Sequence, residues 1–446
     1  MIKLYRSLIR SKLDYGCIVY GSASAKALAS LDPVHNQGLR LCLGAFRSSP
    51  VESLYVEAHE PPLQIRRDKL ALQYMIKLKA NPLNPAYDVV FHPKYKKLYD
   101  SKENITETFG LYGKKLLKRA KIKLENTAIN SIPDVPIWDS KHISVDLSLS
   151  ELDKSSTSSD VFISKFNESK ERYTDYCQIY TDGSKVEEKV ACAVFIHDCG
   201  PLSYRLPDGC SVFTAEVEAI QKALLFARYS KRKYFVIFSD SMSALQAIDS
   251  QESKNPRINM VLQACQELLS SGKYIEFFWV PGHRNIPGNE RADRAAKSAL
   301  SKELPPTFEV PSTDHLTKIR PFISSDWQVR WDEQPNNKLY SIMPSVDEVY
   351  YSGCKNRKDD IIISRLRIGH TRLTHCHLME KKPPPICTFC SDNNELSVKH
   401  ILLECSSFTY KRRRRFQVND LRQLFSTVSS RVIIDFVKDI GLYNSL

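Results

Sequence analysis

The sequence lacks long hydrophobic runs. None of its 446 residues belongs to a stretch approaching the roughly 18 uninterrupted apolar residues that a membrane-spanning helix requires. The first residues, MIKLYRSLIRSKLDYG, interrupt their apolar pairs with charged or hydroxyl side chains and contain no signal-peptide core. We therefore expect a soluble, intracellular protein of the nucleus or cytoplasm that has no membrane partner.

Disulfide bonds are not expected either, because nothing in the sequence directs the chain to an oxidising compartment. The twelve cysteines are therefore predicted to be reduced thiols. Most of them stand singly among apolar neighbours, as Cys42, Cys192 and Cys265 do, and are expected to be packing residues. No internal repeat is detectable at the periods of repeat proteins.

The net charge of +13 is unevenly distributed along the chain. Residues 1–130 carry 22 basic and 11 acidic side chains, whereas residues 174–301 carry 15 of each. Residues 302–446 are mildly basic, and residues 131–173 are mildly acidic. The basic N-terminal part favours a polyanionic partner such as nucleic acid, although a solvated basic surface agrees equally well with charge alone.

Three compositional breaks divide the sequence: a serine-rich run at 155–159, the prolines at 305–311 and three consecutive prolines at 383–385. Apolar spacing before the first break is helical, with Lys and Arg on the intervening faces. The predicted regions are a basic helical region (1–130), a linker (131–173), a central domain (174–301), a helical connector (302–385) and a small C-terminal region (386–446).

The central region predicts an α/β domain. Three adjacent β-rich runs precede a helix, after which strands and helices alternate, so a mixed sheet with flanking helices is expected. Its five predicted strands are 178–180, 190–197, 202–205, 234–239 and 274–280.

Two acids of this region are predicted to stand at strand ends. Asp182 follows the first strand and Asp240 follows the fourth, where α/β sheets place their ligands. Either acid taken alone could instead cap a turn or a helix.

Glu216 and Glu218 lie on one helix but about 200° apart around its axis, so at most one is expected to face the sheet. Glu216 shares its face with apolar residues and is predicted to be buried, whereas Glu218 is predicted to be solvated. Asp293 falls in the first turn of a helix, a position that by itself is ordinary for an acid.

Four carboxylates at one end of a sheet would repel one another unless divalent cations neutralise them. Their hard oxygen ligands suit Mg²⁺ or Mn²⁺. Two such ions about 4 Å apart would support in-line phosphodiester hydrolysis by the two-metal scheme.

Four motifs carry a family resemblance. They are Tyr180-Thr181-Asp182-Gly183-Ser184, Thr214-Ala215-Glu216, Phe238-Ser239-Asp240-Ser241, and Trp279 to His283 followed by Gly288 to Asp293. In order and spacing, residues 174–301 resemble type 1 ribonuclease H. The resemblance implies a ribonuclease H-like mixed five-stranded sheet.

The resemblance also implies cleavage of the RNA strand of RNA–DNA hybrids. The acids that match the family's metal ligands, for two Mg²⁺ or Mn²⁺ ions, are Asp182, Glu216, Asp240 and Asp293. His283 matches the loop position that in this family assists proton transfer and product departure; the alternative is a surface loop histidine. Gly183 and Ser184 are candidate substrate contacts, and Ser184 could equally cap the turn.

A second metal site is predicted near the C-terminus. Cys387, Cys390, His400 and Cys405 supply three thiolates and an imidazole at spacings suited to tetrahedral Zn²⁺. The alternative is a set of buried cysteines with a core histidine. Four residues just upstream could in principle replace one of these ligands, but they are expected to be structural or exposed. They are His370, His375, Cys376 and His377. The basic run 411–415 could bind phosphate, act as a nuclear signal or be a solvated helix face.

The order of these parts resembles the C-terminal end of a Jockey-like non-LTR retrotransposon polyprotein, in which ribonuclease H and a Cys-Cys-His-Cys finger follow the reverse transcriptase. The outer segments that resemble this context are 5–16, 63–67, 365–375 and 441–443. The Tyr/Phe-Ala-Asp-Asp motif of a polymerase centre is absent, so no reverse transcriptase activity is expected. The chain looks like a fragment or a truncated copy of such an element.

Two function hypotheses from different classes remain. The first is an endoribonuclease specific for RNA–DNA hybrids, and the second is a noncatalytic nucleic-acid-binding remnant of the polyprotein. A nuclease of the same fold that acts on DNA junctions, or an integrase, is disfavoured by His283 and the motif from Gly288 to Asp293. The sequence does not determine the oligomeric state.

Overall fold

The computed structural model describes residues 1–94, 97, 99, 106–130, 137–350 and 353–446. The chain forms two compact units. One comprises Met1–Tyr74, Tyr95–Leu116 and Ile319–Leu446, and the other comprises Met75–Lys94 and Leu117–Lys318. Among the described residues, no helix combines the length and the apolar character needed to cross a bilayer. All twelve cysteines are free thiols.

The second unit contains a six-stranded mixed sheet. Its strands are β1 (Ser144–Asp146), β2 (Cys177–Val186), β3 (Lys189–Ile196), β4 (Gly200–Leu206), β5 (Tyr234–Ser239) and β6 (Tyr274–Trp279). Their spatial order is β1-β6-β5-β2-β3-β4. Strands β2, β3 and β4 are antiparallel, whereas β2, β5, β6 and β1 run parallel. The predicted mixed sheet is therefore confirmed.

Five helices flank the sheet: α1 (Ser159–Lys170), α2 (Val212–Tyr229), α3 (Met242–Asp249), α4 (Pro256–Ser270) and α5 (Pro287–Ser298). Local chemistry fixes the starts of two of them. The Ser211 side chain accepts a hydrogen bond from the first turn of α2, and Asn255 does the same for α4. The core between sheet and helices is dominated by fully buried aromatic rings on β5 and β6, namely Phe235, Phe238, Phe277 and Phe278.

The prediction of a linker over 131–173 is wrong for residues 137–173; residues 131–136 lie outside the described part. Strand β1 pairs with β6, so the sheet has six strands instead of the predicted five. Helix α1 buries Phe162 and Phe166, and the Phe166 ring lies 5.3 Å from that of Phe238. The sequence did not predict β1 and α1, because the strand has only three residues and the helix buries only two. Neither produces a detectable hydrophobic periodicity.

The described residues form further α-helices besides these five. They are Ile2–Tyr5, Ser11–Asp14, Cys17–Tyr20, Ala25–Ala29, Asp32–Leu43, Val51–Ala58, Leu63–Lys79, Tyr87–Phe91, Phe109–Arg119, Ser312–Thr317, Ile319–Asp332, Arg357–Ile368, Arg372–His375, His377–Glu380, Thr409–Arg415, Leu421–Thr427 and Ser430–Asp439. The predicted helical character of the N-terminal region is confirmed.

The domain division differs from the predicted one, because N-terminal and C-terminal helices share the first unit. Buried Glu57 forms an ion pair with Arg367 at 2.5 Å, and Glu52 pairs with Arg330 at 2.6 Å. A carboxylate as buried as Glu57 needs a cation, and the cation comes from a residue distant in sequence. Ion pairs between residues so far apart in sequence cannot be predicted from local composition.

We predict that residues 144–173 are an integral part of the sheet domain. Phe166→Ala should lower the free energy of unfolding by about 3–5 kcal/mol, because it removes a buried ring from the core. Val161→Ala on the same helix is the matched control, since Val161 is 45% exposed. Urea unfolding of the full chain measures both variants. Equal effects of the two substitutions would contradict an integral role.

Candidate active site and metal centres

The parallel pairing of β2 with β5 brings Asp182 and Asp240 side by side. The last residues that pair β2 with β5 are Thr181 and Ser239. Asp182 is the next residue of β2, and Asp240 is the first residue after β5. Strand β2 itself continues to Val186, paired only with β3 beyond this point. Asp182 therefore lies within its strand and not at its end as predicted; it is the parallel ladder that ends there.

Helix α2 brings Glu216 to the same place. A β-carbon on Gly183 would lie 2.8 Å from the backbone nitrogen of Glu216, so the close approach of β2 and α2 requires glycine at this position. One ligand atom from each of Asp182, Glu216 and Asp240 lies within 4.8 Å of the other two. Three of the four predicted acids thus form one cluster.

The carboxylates of this cluster are held in an environment that disfavours their charge. Burial raises the pKa of Asp182 to about 8, and the charges of Asp240 and Asp293 act in the same direction. The pKa of Glu216 is raised well above its usual value, first by burial and then by Asp182 and Asp240. Burial also raises the pKa of Asp240.

The fourth predicted acid, Asp293, belongs to a neighbouring group. It is 9% exposed, and its carboxylate accepts a hydrogen bond from Lys297 at 2.7 Å. Ligand atoms of Asp293, Glu290 and exposed His283 lie within 4.8 Å of one another. The loop that carries His283 is strained, because His283 and Asn285 both adopt positive φ angles of 57° and 59°.

Residues that the sequence analysis did not single out support Asp240. The indole nitrogen of Trp279 donates to the Asp240 carbonyl oxygen at 3.1 Å, and Asn289 Nδ2 lies 3.4 Å from Asp240 Oδ2. A β-carbon on Gly282 would lie 2.5 Å from Asp240 Oδ2, so a side chain there would displace the Asp240 carboxylate. Trp279, Gly282 and Asn289 all belong to the motif that runs from Trp279 to His283 and from Gly288 to Asp293. The sequence could therefore have indicated them through that motif.

The cluster has the properties of a divalent cation site. Asp182 Oδ2 and Glu216 Oε2 are buried and have no hydrogen-bond partner. Two carboxylates at this separation repel by about 3–4 kcal/mol at an effective dielectric constant of 20, and the donors present do not offset this repulsion. Carboxylate oxygens are the ligands that Mg²⁺ and Mn²⁺ prefer. The residues therefore fit the predicted ions.

Glu218 is buried, contrary to the prediction that it is solvated. It is 5% exposed, and its two oxygens lie 3.2 Å from Arg257 and 3.1 Å from Lys222. Helix α4, which supplies Arg257, covers the side of α2 that the helical pattern assigned to solvent. The candidate substrate contacts are also enclosed: Gly183 packs against α2, and Ser184 is 8% exposed. Their contact with substrate stays a prediction.

The C-terminal cluster is assembled as predicted from its spacing. Ligand atoms of Cys387, Cys390, His400 and Cys405 lie within 4.8 Å of one another. Burial would raise the pKa of Cys387, but hydrogen bonds from the backbone of Phe389 and Cys390 outweigh it and leave the pKa below its usual value. Three soft sulfur ligands and one imidazole fit Zn²⁺. The upstream candidates His370, His375, Cys376 and His377 are not members of this cluster.

The basic run 411–415 is largely engaged within the fold. Arg412 donates to the carbonyl oxygens of Leu402 and Cys405, at 2.8 and 3.0 Å, and so braces the backbone of a cluster residue. Lys411 donates to the Asp439 carbonyl, and Arg415 pairs with the Asp439 carboxylate. In the part of the chain that the structure describes, Arg413 and Arg414 make no ion pair.

Comparison with known proteins finds a similarity over residues 174–301, the region that contains β2 to β6. The ribonuclease H family model matches residues 174–301, which is less than half of the chain. A solved structure of ribonuclease H1 from the archaeon Halobacterium salinarum is 22% identical, covering 28% of this chain and 97% of that chain, with a TM-score of 0.23. The region 174–301 has the ribonuclease H fold.

We predict that divalent cations stabilise the acid cluster. At a Mg²⁺ concentration 100-fold above its Kd, the unfolding temperature of the second unit should rise by about 5–10 °C. Glu216→Gln should raise the metal-free unfolding temperature, because it removes a buried like charge, and should reduce the response to Mg²⁺. Asp249→Asn, at an exposed acid of α3, is the control and should keep the response. A full Mg²⁺ response in Glu216→Gln would contradict the assignment.

We also predict that the cysteine cluster binds zinc. The purified chain should contain about one zinc ion, measured by elemental analysis, because four closed ligands make a structural site. Cys387→Ser should lose the metal and unfold more readily. Cys199→Ser, at an exposed free thiol, should retain it. Zinc content that does not differ between the two variants would rule out this site.

Proposed function

We propose that the chain is an endoribonuclease that cleaves the RNA strand of RNA–DNA hybrids. The observation that carries the proposal is the convergence of three carboxylates within 4.8 Å in the region that matches ribonuclease H: Asp182 and Glu216, which are buried, and Asp240, which is partly buried. Two of their oxygens have no hydrogen-bond partner. A structural role alone does not account for three acids of raised pKa in one place.

The proposed metal ligands are Asp182, Glu216, Asp240 and Asp293. Bound Mg²⁺ or Mn²⁺ would supply activation of the attacking water and stabilisation of the leaving oxygen. The chain contributes a preorganised cradle: the paired strands fix the two aspartates, and Trp279 and Asn289 hold Asp240. Lys297 balances the charge of Asp293.

His283 is the proposed proton-transfer residue. It is exposed on a strained loop, and its imidazole lies near Glu290 and Asp293 at the edge of the acid cluster. Its charge opposes the burial that raises the pKa of Asp240, so it acts electrostatically on the cluster. An imidazole there can exchange protons with solvent and with a reacting oxygen.

We further propose that the chain derives from a non-LTR retrotransposon polyprotein. Support comes from the order of its parts, in which a ribonuclease H match is followed by a Cys-Cys-His-Cys cluster. Zn²⁺ in that cluster would stabilise the C-terminal region, and the basic N-terminal region would add affinity for nucleic acid.

The test is cleavage of end-labelled RNA–DNA hybrid, RNA duplex and DNA duplex by the purified chain in Mg²⁺. We expect products only from the RNA of the hybrid, and none in EDTA. Asp182→Asn and Asp240→Asn should each reduce kcat by at least about 100-fold, since removing a ligand does more than the 10- to 100-fold loss typical of outer-shell substitutions. His283→Ala should slow the reaction without abolishing it.

Asp249→Asn is again the matched control and should leave the rate unchanged. Binding of hybrid without cleavage, with a steep dependence on salt, would favour the noncatalytic remnant instead. Equal cleavage of duplex DNA would overturn the proposed specificity for hybrids.

A further inference from the structure

A loop outside residues 174–301 lies next to the acid cluster. After β1 the chain makes a helical turn at Ser148–Glu151 and then a loop, 152–158, that leads into α1. The ammonium group of Lys154 in this loop lies 5.0 Å from the centre of the Trp279 ring, a distance typical of a cation–π contact. Trp279 ends β6 and holds the Asp240 carbonyl oxygen.

Several contacts fix the backbone of this loop. Arg284, the neighbour of His283, donates to the Lys154 carbonyl oxygen, and its guanidinium lies 5.4 Å from the centre of the Phe162 ring. The Asp153 carboxylate accepts hydrogen bonds from the backbone and side chain of Ser155, at 2.9 and 2.8 Å. The position of Lys154 beside the cluster therefore does not depend on its own side-chain contact.

Lys154 carries a positive charge near the cluster that no close ion pair in the described part of the chain neutralises. Lys154 acts electrostatically on Asp240, opposing the effect of burial on that carboxyl group. Its side chain is exposed, and no described carboxylate lies within 4 Å of its ammonium group. An exposed cation held beside a catalytic acid and lacking a close anionic partner can receive an anion from outside.

We propose that Lys154 binds a phosphate of the nucleic-acid backbone next to the bond that is cut. Residues 144–173 then extend the substrate site beyond the ribonuclease H match. This inference rests on the proposed function for the identity of the substrate. An ammonium group is a compact point charge suited to a phosphate contact that carries no base information.

The experiment compares Lys154→Glu with Lys154→Arg and Lys231→Glu in the full chain. Lys231 is an exposed lysine just before β5, at the opposite end of that strand from Asp240, so it reproduces the charge change away from the site. Binding of fluorescent RNA–DNA hybrid is measured by anisotropy over a range of salt concentrations in the Asp182→Asn background. KM and kcat are measured in the otherwise unaltered chain.

We expect Lys154→Glu to raise Kd and KM by about 10-fold, to change kcat by less than about twofold, and to lower the slope of log K against log salt by about one. Lys154→Arg should stay close to the unaltered chain, and Lys231→Glu should have little effect. The KM increase and the change in salt slope separate a phosphate contact from a loop-stabilising cation–π contact, which predicts neither.

Two other results would overturn the inference. Equal Kd values and salt slopes for Lys154→Glu and Lys231→Glu, with cleavage intact, would refute the phosphate contact and leave the proposed function standing. Failure of the Asp182→Asn chain to bind hybrid would refute it as well. Conversely, binding that depends on Lys154 in a chain that cleaves nothing would support the contact while refuting the proposed function.

Discussion

The constraint on which the site depends is the repulsion among carboxylates that the sheet forces together. Pairing of β2 with β5 through Thr181 and Ser239 makes Asp182 and Asp240 neighbours, and α2 adds Glu216 from above. Asp182 and Glu216 are buried and Asp240 is partly buried, so the fold carries an electrostatic penalty that bound cations or protonation remove. The surrounding structure compensates by supplying core packing that holds the acids in place.

Both glycines and aromatic residues contribute to the packing around the cluster. Gly183 permits the close approach of β2 to the α2 backbone, and Gly282 leaves room for the Asp240 carboxylate. Fully buried rings on β5 and β6 hold the strands at the spacing that sets the acids together. The supports of the site belong to the core, whereas His283 and Lys154 lie exposed on the adjoining loops.

The segment 137–173 extends the sheet unit beyond the residues that match the ribonuclease H family model. It adds a strand beside β6 and a helix whose Phe166 meets aromatic rings of β5 and β6. The same segment brings a lysine to the edge of the acid cluster. Stability of the sheet and the shape of the site are therefore coupled through a part of the chain that lies outside the family match.

The sequence by itself determined the mixed sheet, the clustering of Asp182, Glu216 and Asp240, and the grouping of the four C-terminal ligands. These features follow from short motifs and from periodicity, which are local properties. Only the tertiary structure decided the burial of Glu218, the sixth strand, the place of Lys154 and the joining of N-terminal and C-terminal helices in one unit. Each of these depends on a partner far away in sequence, such as Arg257 for Glu218 or Arg367 for Glu57, and local composition carries no record of such a partner.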